Sequence, residues 1–200
     1  LEENDFVNGV RMTTQVLRNT FFRPNILFLH LRPDSSLDEL QQLIDKTAAY
    51  QMGIALLARH PILSLGREQI IHVWVSNQGP DWKHDLHQSN LDLAILLAYQ
   101  LAQNWNAQIT LNMAVPDEET KRKASQFLAE LIKLARLPKE TTFFVTTKPF
   151  DEALAETPRA DLTMVGLSQK PDLEVVKKIS EQVNGSCIFV RGSGEESVLA

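Results

Sequence analysis

Seven short apolar runs, separated by segments of helical period, restrict the fold of this chain more than any other feature. They are Ile26 to Leu31 (ILFLHL), Ile54 to Ala58 (IALLA), Ile70 to Val75 (IIHVWV), Ile109 to Met113 (ITLNM), Phe143 to Thr147 (FFVTT), Leu162 to Gly166 (LTMVG) and Cys187 to Arg191 (CIFVR). Most lack the polar alternation of a one-sided sheet, so both faces of each strand must be covered. Strands of this kind alternating with helices give an α/β fold, a mainly parallel open sheet with helices on both faces.

The intervening segments have readable ends. Ser36, with Glu39 three residues on, forms a capping-box signature before Leu37, Leu40, Leu43, Ile44 and Ala48. A helix over 90–105 is apolar on nearly every side, as expected where more than the sheet covers it. A third helix starts at Asp117 after Pro116, carries Ala124, Phe127, Leu128, Leu131 and Ile132 on one face, and stops by Pro138. Shorter helices are expected over 150–155 and 173–183, the second closed by Asn184-Gly185 in a left-handed C-cap. From Ile70 onward strand and helix alternate; a strand-helix-strand unit over 26–58 precedes them. We read one domain over 1–200, with an N-terminal β-α-β unit over 1–66 and a second unit over 67–200. The stretch His60 to Gln69, with Pro61 and Gly66, is the junction.

Composition excludes several function classes. A net charge of -5 offers no basic field for nucleic acid or an anionic membrane surface. The longest apolar run, Leu91 to Leu101, falls short of the ~20 residues of a membrane helix, so direct membrane insertion is not expected. The chain opens on Leu1 with no basic-plus-apolar leader and reads as a piece of a longer protein. Its lone cysteine, Cys187, lies in an apolar run, reads as a small buried hydrophobe and has no partner for an intrachain disulfide.

No nucleophile elbow, phosphate loop, dinucleotide fingerprint or zinc-protease motif is present, so no residue starts a catalytic argument and no cofactor is expected. His30, His60 and His72 lie in or beside strands and read as packed or edge histidines. His84 and His87, with Asp81 and Asp85 nearby, are the one candidate metal pair, although a polar loop supplies such residues by composition alone. The candidate ligand crevice lies where a parallel sheet reverses its strand order. From Ile70 onward the element order resembles that of the universal stress protein fold. Nucleotide-binding members of that fold place a glycine-rich loop after the fourth strand. Here the corresponding strand ends at Gly166 and no further glycine follows before Gly185, which leaves Gly166 and Lys170 as the candidate nucleotide contacts.

A family resemblance runs through the chain in order. Arg23-Pro24-Asn25-Ile26-Leu27-Phe28-Leu29 is similar to the K/R-P-N-x-L-x-x-G entry of the cytosolic domain of cation-chloride cotransporters. Ala49-Tyr50-Gln51-Met52-Gly53-Ile54-Ala55 resembles their Y/Q-x-G-V strand entry, and Ile70-Ile71-His72-Val73-Trp74-Val75 resembles I-D-V-W-W. The helix from Asn90 to Leu101 resembles L-x-L-L-x-x-Y-L-L, and Val190-Arg191-Gly192-Ser193 through Val198-Leu199 resembles the terminal V-R-G-N-x-x-x-V-L-T. His30 replaces a usual glycine and Ser193 an asparagine. The segment from Asp117 to Ser168 lacks the long phosphorylated insertions of animal relatives, as in a compact prokaryotic-type member. The resemblance implies a regulatory domain on the cytoplasmic side of the membrane, joined to the transmembrane transport unit of the same chain. It also implies a homodimer, with the ion-coordinating residues elsewhere. The alternative reading is a universal-stress-type nucleotide sensor.

Overall fold

The computed structural model describes residues 3–17, 20–21, 24–76, 82 and 89–197. Seven strands form one sheet: β1 (Ile26–His30), β2 (Gly53–Ala58), β3 (Ile70–Trp74), β4 (Gln108–Ala114), β5 (Thr142–Thr146), β6 (Leu162–Gly166) and β7 (Ser186–Arg191). Six helices accompany them: α1 (Glu3–Leu17), α2 (Leu37–Ala49), α3 (Ser89–Trp105), α4 (Glu118–Leu134), α5 (Phe150–Glu156) and α6 (Leu173–Gln182). Each expected strand is present within a residue of its expected ends, because continuous apolar runs of five or six residues suit a strand covered on both faces.

The strand order is β1-β2-β7-β6-β3-β4-β5, and every neighbouring pair is parallel except β2 and β7. That one antiparallel pairing, Ile54 opposite Arg191 through Ala58 opposite Cys187, splices the N-terminal unit onto the rest. It also gives the sheet two carboxyl edges. β3 to β7 end on one, and β1 and β2 end on the other.

Side chains alternate across the sheet into two cores. On one face Ile71, Val73, Ile109, Leu111 and Met113 pack with Leu93 and Ile95 of α3 and Phe127, Leu128 and Leu131 of α4. On the other Leu29, Leu56, Cys187 and Phe189 pack with Leu40, Leu43 and Ile44 of α2, Leu154 of α5 and Val176 of α6. The caps follow the sequence signals: Ser36 Oγ accepts the Glu39 N–H at 3.4 Å, and Asp117 Oδ1 accepts the Thr120 N–H at 2.7 Å.

Two features differ from expectation. Helix α1 has no counterpart in the periodicity reading, since its inner face mixes Val7 and Val10 with a threonine and its outer face carries apolar residues. Thr14 is buried, its hydroxyl donating to the Val10 carbonyl at 2.7 Å, while Met12 and Val16 are exposed. The end of α6 is not a left-handed cap. Val183 caps it in an extended conformation (φ -77°, ψ 132°), and Gly185 does not have a positive φ. Gly185 is required for room instead, since a Cβ there would lie 2.3 Å from the Ala160 carbonyl oxygen.

The junction between the units is ordered by one carboxylate. Asp161 accepts the backbone N–H groups of Arg67 (2.9 Å), Gln69 (2.9 Å) and Ile70 (3.0 Å). Burial works against this carboxylate, but the three N–H donors outweigh it and hold its pKa below the usual value. Gly66 (φ +61°) lets the chain turn tightly against Asp161, where a Cβ would meet Oδ1 at 2.0 Å.

Candidate functional site

The sheet reverses its direction of winding at the carboxyl ends of β3 and β6, the first place to look for a ligand in an open parallel sheet. The chain's own polar groups converge there. Asn90, in the first turn of α3, donates its amide to the Leu167 carbonyl (2.5 Å) and accepts the Gly192 N–H (3.3 Å), tying β6 to the segment after β7. Gly166 faces this bridge, and a Cβ on it would touch the Asn90 side chain at 3.5 Å. Lys170, the other candidate nucleotide contact, lies on the exposed loop before α6.

The segment after β7 is held by a buried arginine and a buried glutamate. Arg191, 2% exposed, donates through Nη2 to the Ile44 carbonyl (2.9 Å) and Thr47 Oγ1 (2.8 Å), both on α2, and through Nη1 to the Gln169 carbonyl (3.4 Å). Burial lowers its pKa from the usual value, with Asp45 acting in the opposite direction. Glu196 accepts the N–H groups of Ser193 (2.8 Å) and Gly194 (3.1 Å) and the Ser193 hydroxyl (2.9 Å). Its carboxylate packs against Gly53, where a Cβ would lie 3.2 Å from Oε1, so glycine at the start of β2 gives the tail a close seat. The terminal motif is thus a strap fastening α2, the start of β2 and the β6–α6 loop.

A second concavity lies at the opposite edge, beyond the carboxyl ends of β1 and β2. This cavity of about 350 Å³ is lined by Arg32, Arg59, His60, Lys177, Ser180 and Glu181, among others. His60 Nδ1 accepts the N–H groups of Ile62 (3.2 Å) and Leu63 (3.1 Å), which leaves Nε2 as the protonated donor of the neutral ring. Ser186 Oγ anchors the same turn, accepting the His60 N–H at 2.9 Å and donating to the Ser64 carbonyl at 2.6 Å. Three cationic side chains against one carboxylate make the concavity suited to a small anion. Sequence reasoning missed it because Arg32, Arg59 and Lys177 come from distant segments that only the β2–β7 splice brings together. The legible signal was a repeated pattern: Arg32-Pro33 and Arg59-His60-Pro61 directly follow β1 and β2.

The remaining candidates are separate from both places. His84 and His87 lie outside the described residues. Among the described residues no group of three or more His, Cys, Asp or Glu side chains is placed to hold a metal. Trp82 packs its ring edge-on against Phe127 of α4, centroids 5.9 Å apart, over apolar surface. His72 is buried in β3, whereas His30 is exposed at the end of β1. Burial pushes the Cys187 thiol up to about 12, which keeps it an unreactive thiol at neutral pH.

Two family models together span the chain. Residues 1–65 match "Prokaryotic cation-chloride cotransporter, C-terminal domain, 1st", and residues 66–199 match "Prokaryotic cation-chloride cotransporter, C-terminal domain, 2nd". The crystal structure of the cytoplasmic domain of a prokaryotic cation chloride cotransporter is similar at a TM-score of 0.87 and 34% identity, covering 95% of this chain and 72% of that one. No curated protein matches.

Proposed function

This chain belongs to the prokaryotic cation-chloride cotransporter family as its C-terminal cytoplasmic domain, and from that premise we propose that it is a regulatory and dimer-forming module. On this reading it has no catalytic site and contributes no ion-coordinating residue. The observation that supports it is the switch-point crevice, where Asn90 bonds the Leu167 carbonyl and the Gly192 N–H, so that the chain's own groups take up polar contacts at the carboxyl end of β6. Among the described residues no helix is long and apolar enough to cross a membrane. On this reading the ion path belongs to the rest of the transporter, and this domain acts on it through surfaces. Regulation of that kind needs an interface whose free energy differs between two transporter states. The basic concavity beside β1 and β2 is where such regulation would admit a soluble anion.

Self-association is tested by light scattering on the 200-residue chain at high micromolar concentration. The expected mass is twice the 22.6 kDa of one chain. A mass of 22.6 kDa across that range would overturn the dimer-forming role.

A further inference from the structure

We infer that the concavity beyond the carboxyl ends of β1 and β2 binds a compact organic dianion, a phosphate monoester or a dicarboxylate, held between Arg59 and Lys177. The inference rests on the regulatory reading above and names the class of anion that this concavity admits.

Open α/β sheets take ligands beyond the carboxyl ends of parallel strands, and β1 and β2 are such a pair. The Leu31 N–H donates to the Leu57 carbonyl at 2.8 Å, which carries the pairing one residue past β1. Leu31, Ala58 and Val183, all buried, form the apolar part of the lining. Arg59 follows the last residue of β2 and precedes the turn that Ser186 anchors through the His60 N–H, so its backbone is fixed on both sides.

The cations around this space are unequally used. Arg32 Nε lies 3.6 Å from Asp34 Oδ1. Among the described residues neither Arg59 nor Lys177 makes an ion pair. Lys177 and Glu181 stand four apart on α6, the spacing at which helical ion pairs form, yet they do not pair. On a chain of net charge -5, two uncompensated cations from different elements line one concavity of about 350 Å³.

The lining also limits the class of anion. A doubly charged oxyanion bonds both cations at once and offers paired acceptors to the Arg59 guanidinium, whereas a chloride ion carries one charge and no such pair. His60 adds a neutral donor, Nε2–H. Glu181 opposes further negative charge, and no Phe, Tyr or Trp lines the space to stack a nucleobase, so a nucleoside triphosphate is a poor match. The volume leaves room beside the charged groups for a short organic remainder.

Isothermal titration of the 200-residue chain at fixed ionic strength tests this, with glycerol 3-phosphate, succinate, chloride and ATP as probes. Saturable binding of glycerol 3-phosphate or succinate is expected, the tighter of the two identifying the headgroup, with chloride and ATP weaker by about tenfold or more. Arg59→Ala and Lys177→Ala are each expected to weaken the dianion about tenfold, and Glu181→Gln to tighten it. Lys178→Ala, which removes the adjacent exposed cation outside the lining, is expected to leave binding unchanged. Failure of both dianions to bind at about 10 mM, tighter binding of ATP, or equal losses in K177A and K178A would overturn the site. A chain that dimerises but binds no dianion would overturn this site and leave the dimer-forming role standing, and a monomer that binds one would do the reverse.

Discussion

Arg191→Ala is expected to lower the unfolding free energy by about 3–4 kcal/mol and the melting temperature by about 10 °C. The substitution empties a fully packed volume and strips the donors from the Ile44 carbonyl, the Thr47 hydroxyl and the Gln169 carbonyl. It also cuts the side-chain connection between α2 and the β6–α6 loop. Arg191→Met, which keeps the stem's volume and removes a buried charge, is expected to recover about half of the loss. Thermal unfolding followed by circular dichroism measures both. A melting temperature for R191A within 2 °C of wild type would show that the strap is not anchored by this guanidinium.

The second large effect is a pH dependence set by His72. Burial in β3 lowers its pKa from 6.5 to about 4. In the unfolded chain the ring takes up a proton near pH 6.5, so between these values the unfolded state binds more protons than the folded one. Stability from this group is therefore complete above pH 6.5 and declines as pH falls toward 4, by about 3 kcal/mol over the window. Urea midpoints at pH 7.0 and 4.5 are expected to show this loss in wild type and little of it in His72→Leu. An equal loss in both proteins would assign the acid sensitivity to other groups.

The strands and the N-terminal caps of α2 and α4 were legible because their signals are local. A continuous apolar run such as Leu162 to Gly166 admits few alternatives, and Ser36 and Asp117 cap helices through N–H groups three residues away. The antiparallel pairing of β2 with β7 was not legible, since no local pattern separates it from a parallel one. What depends on that pairing was hidden with it: the second carboxyl edge, the basic concavity and the burial of Arg191. The terminal motif shows the difference most clearly. Val190-Arg191-Gly192-Ser193 stood out as family text, yet its physical role appeared only with the positions of Ile44, Thr47, Asn90 and Gly53. Gly185 shows the same limit, because a glycine needed for a distant carbonyl at Ala160 looks in sequence like one needed for a local turn.

The two units are joined by pieces that each stand in more than one place. Asp161 gathers the junction N–H groups, Arg191 reaches α2, and Asn90 bridges β6 to the strap. These hydrogen bonds tie both edges of the sheet to its middle.

The central claim is that this domain regulates ion movement without forming part of the ion path. Chloride-coupled cation uptake by the parent transporter in proteoliposomes, with and without residues 1–200 of this chain, tests it most directly. Deletion is expected to change the transport rate severalfold and to leave the choice of cation and the dependence on chloride as they were. A change in which cation is carried, or uptake that no longer requires chloride, would place ion-coordinating groups in this domain and contradict the account.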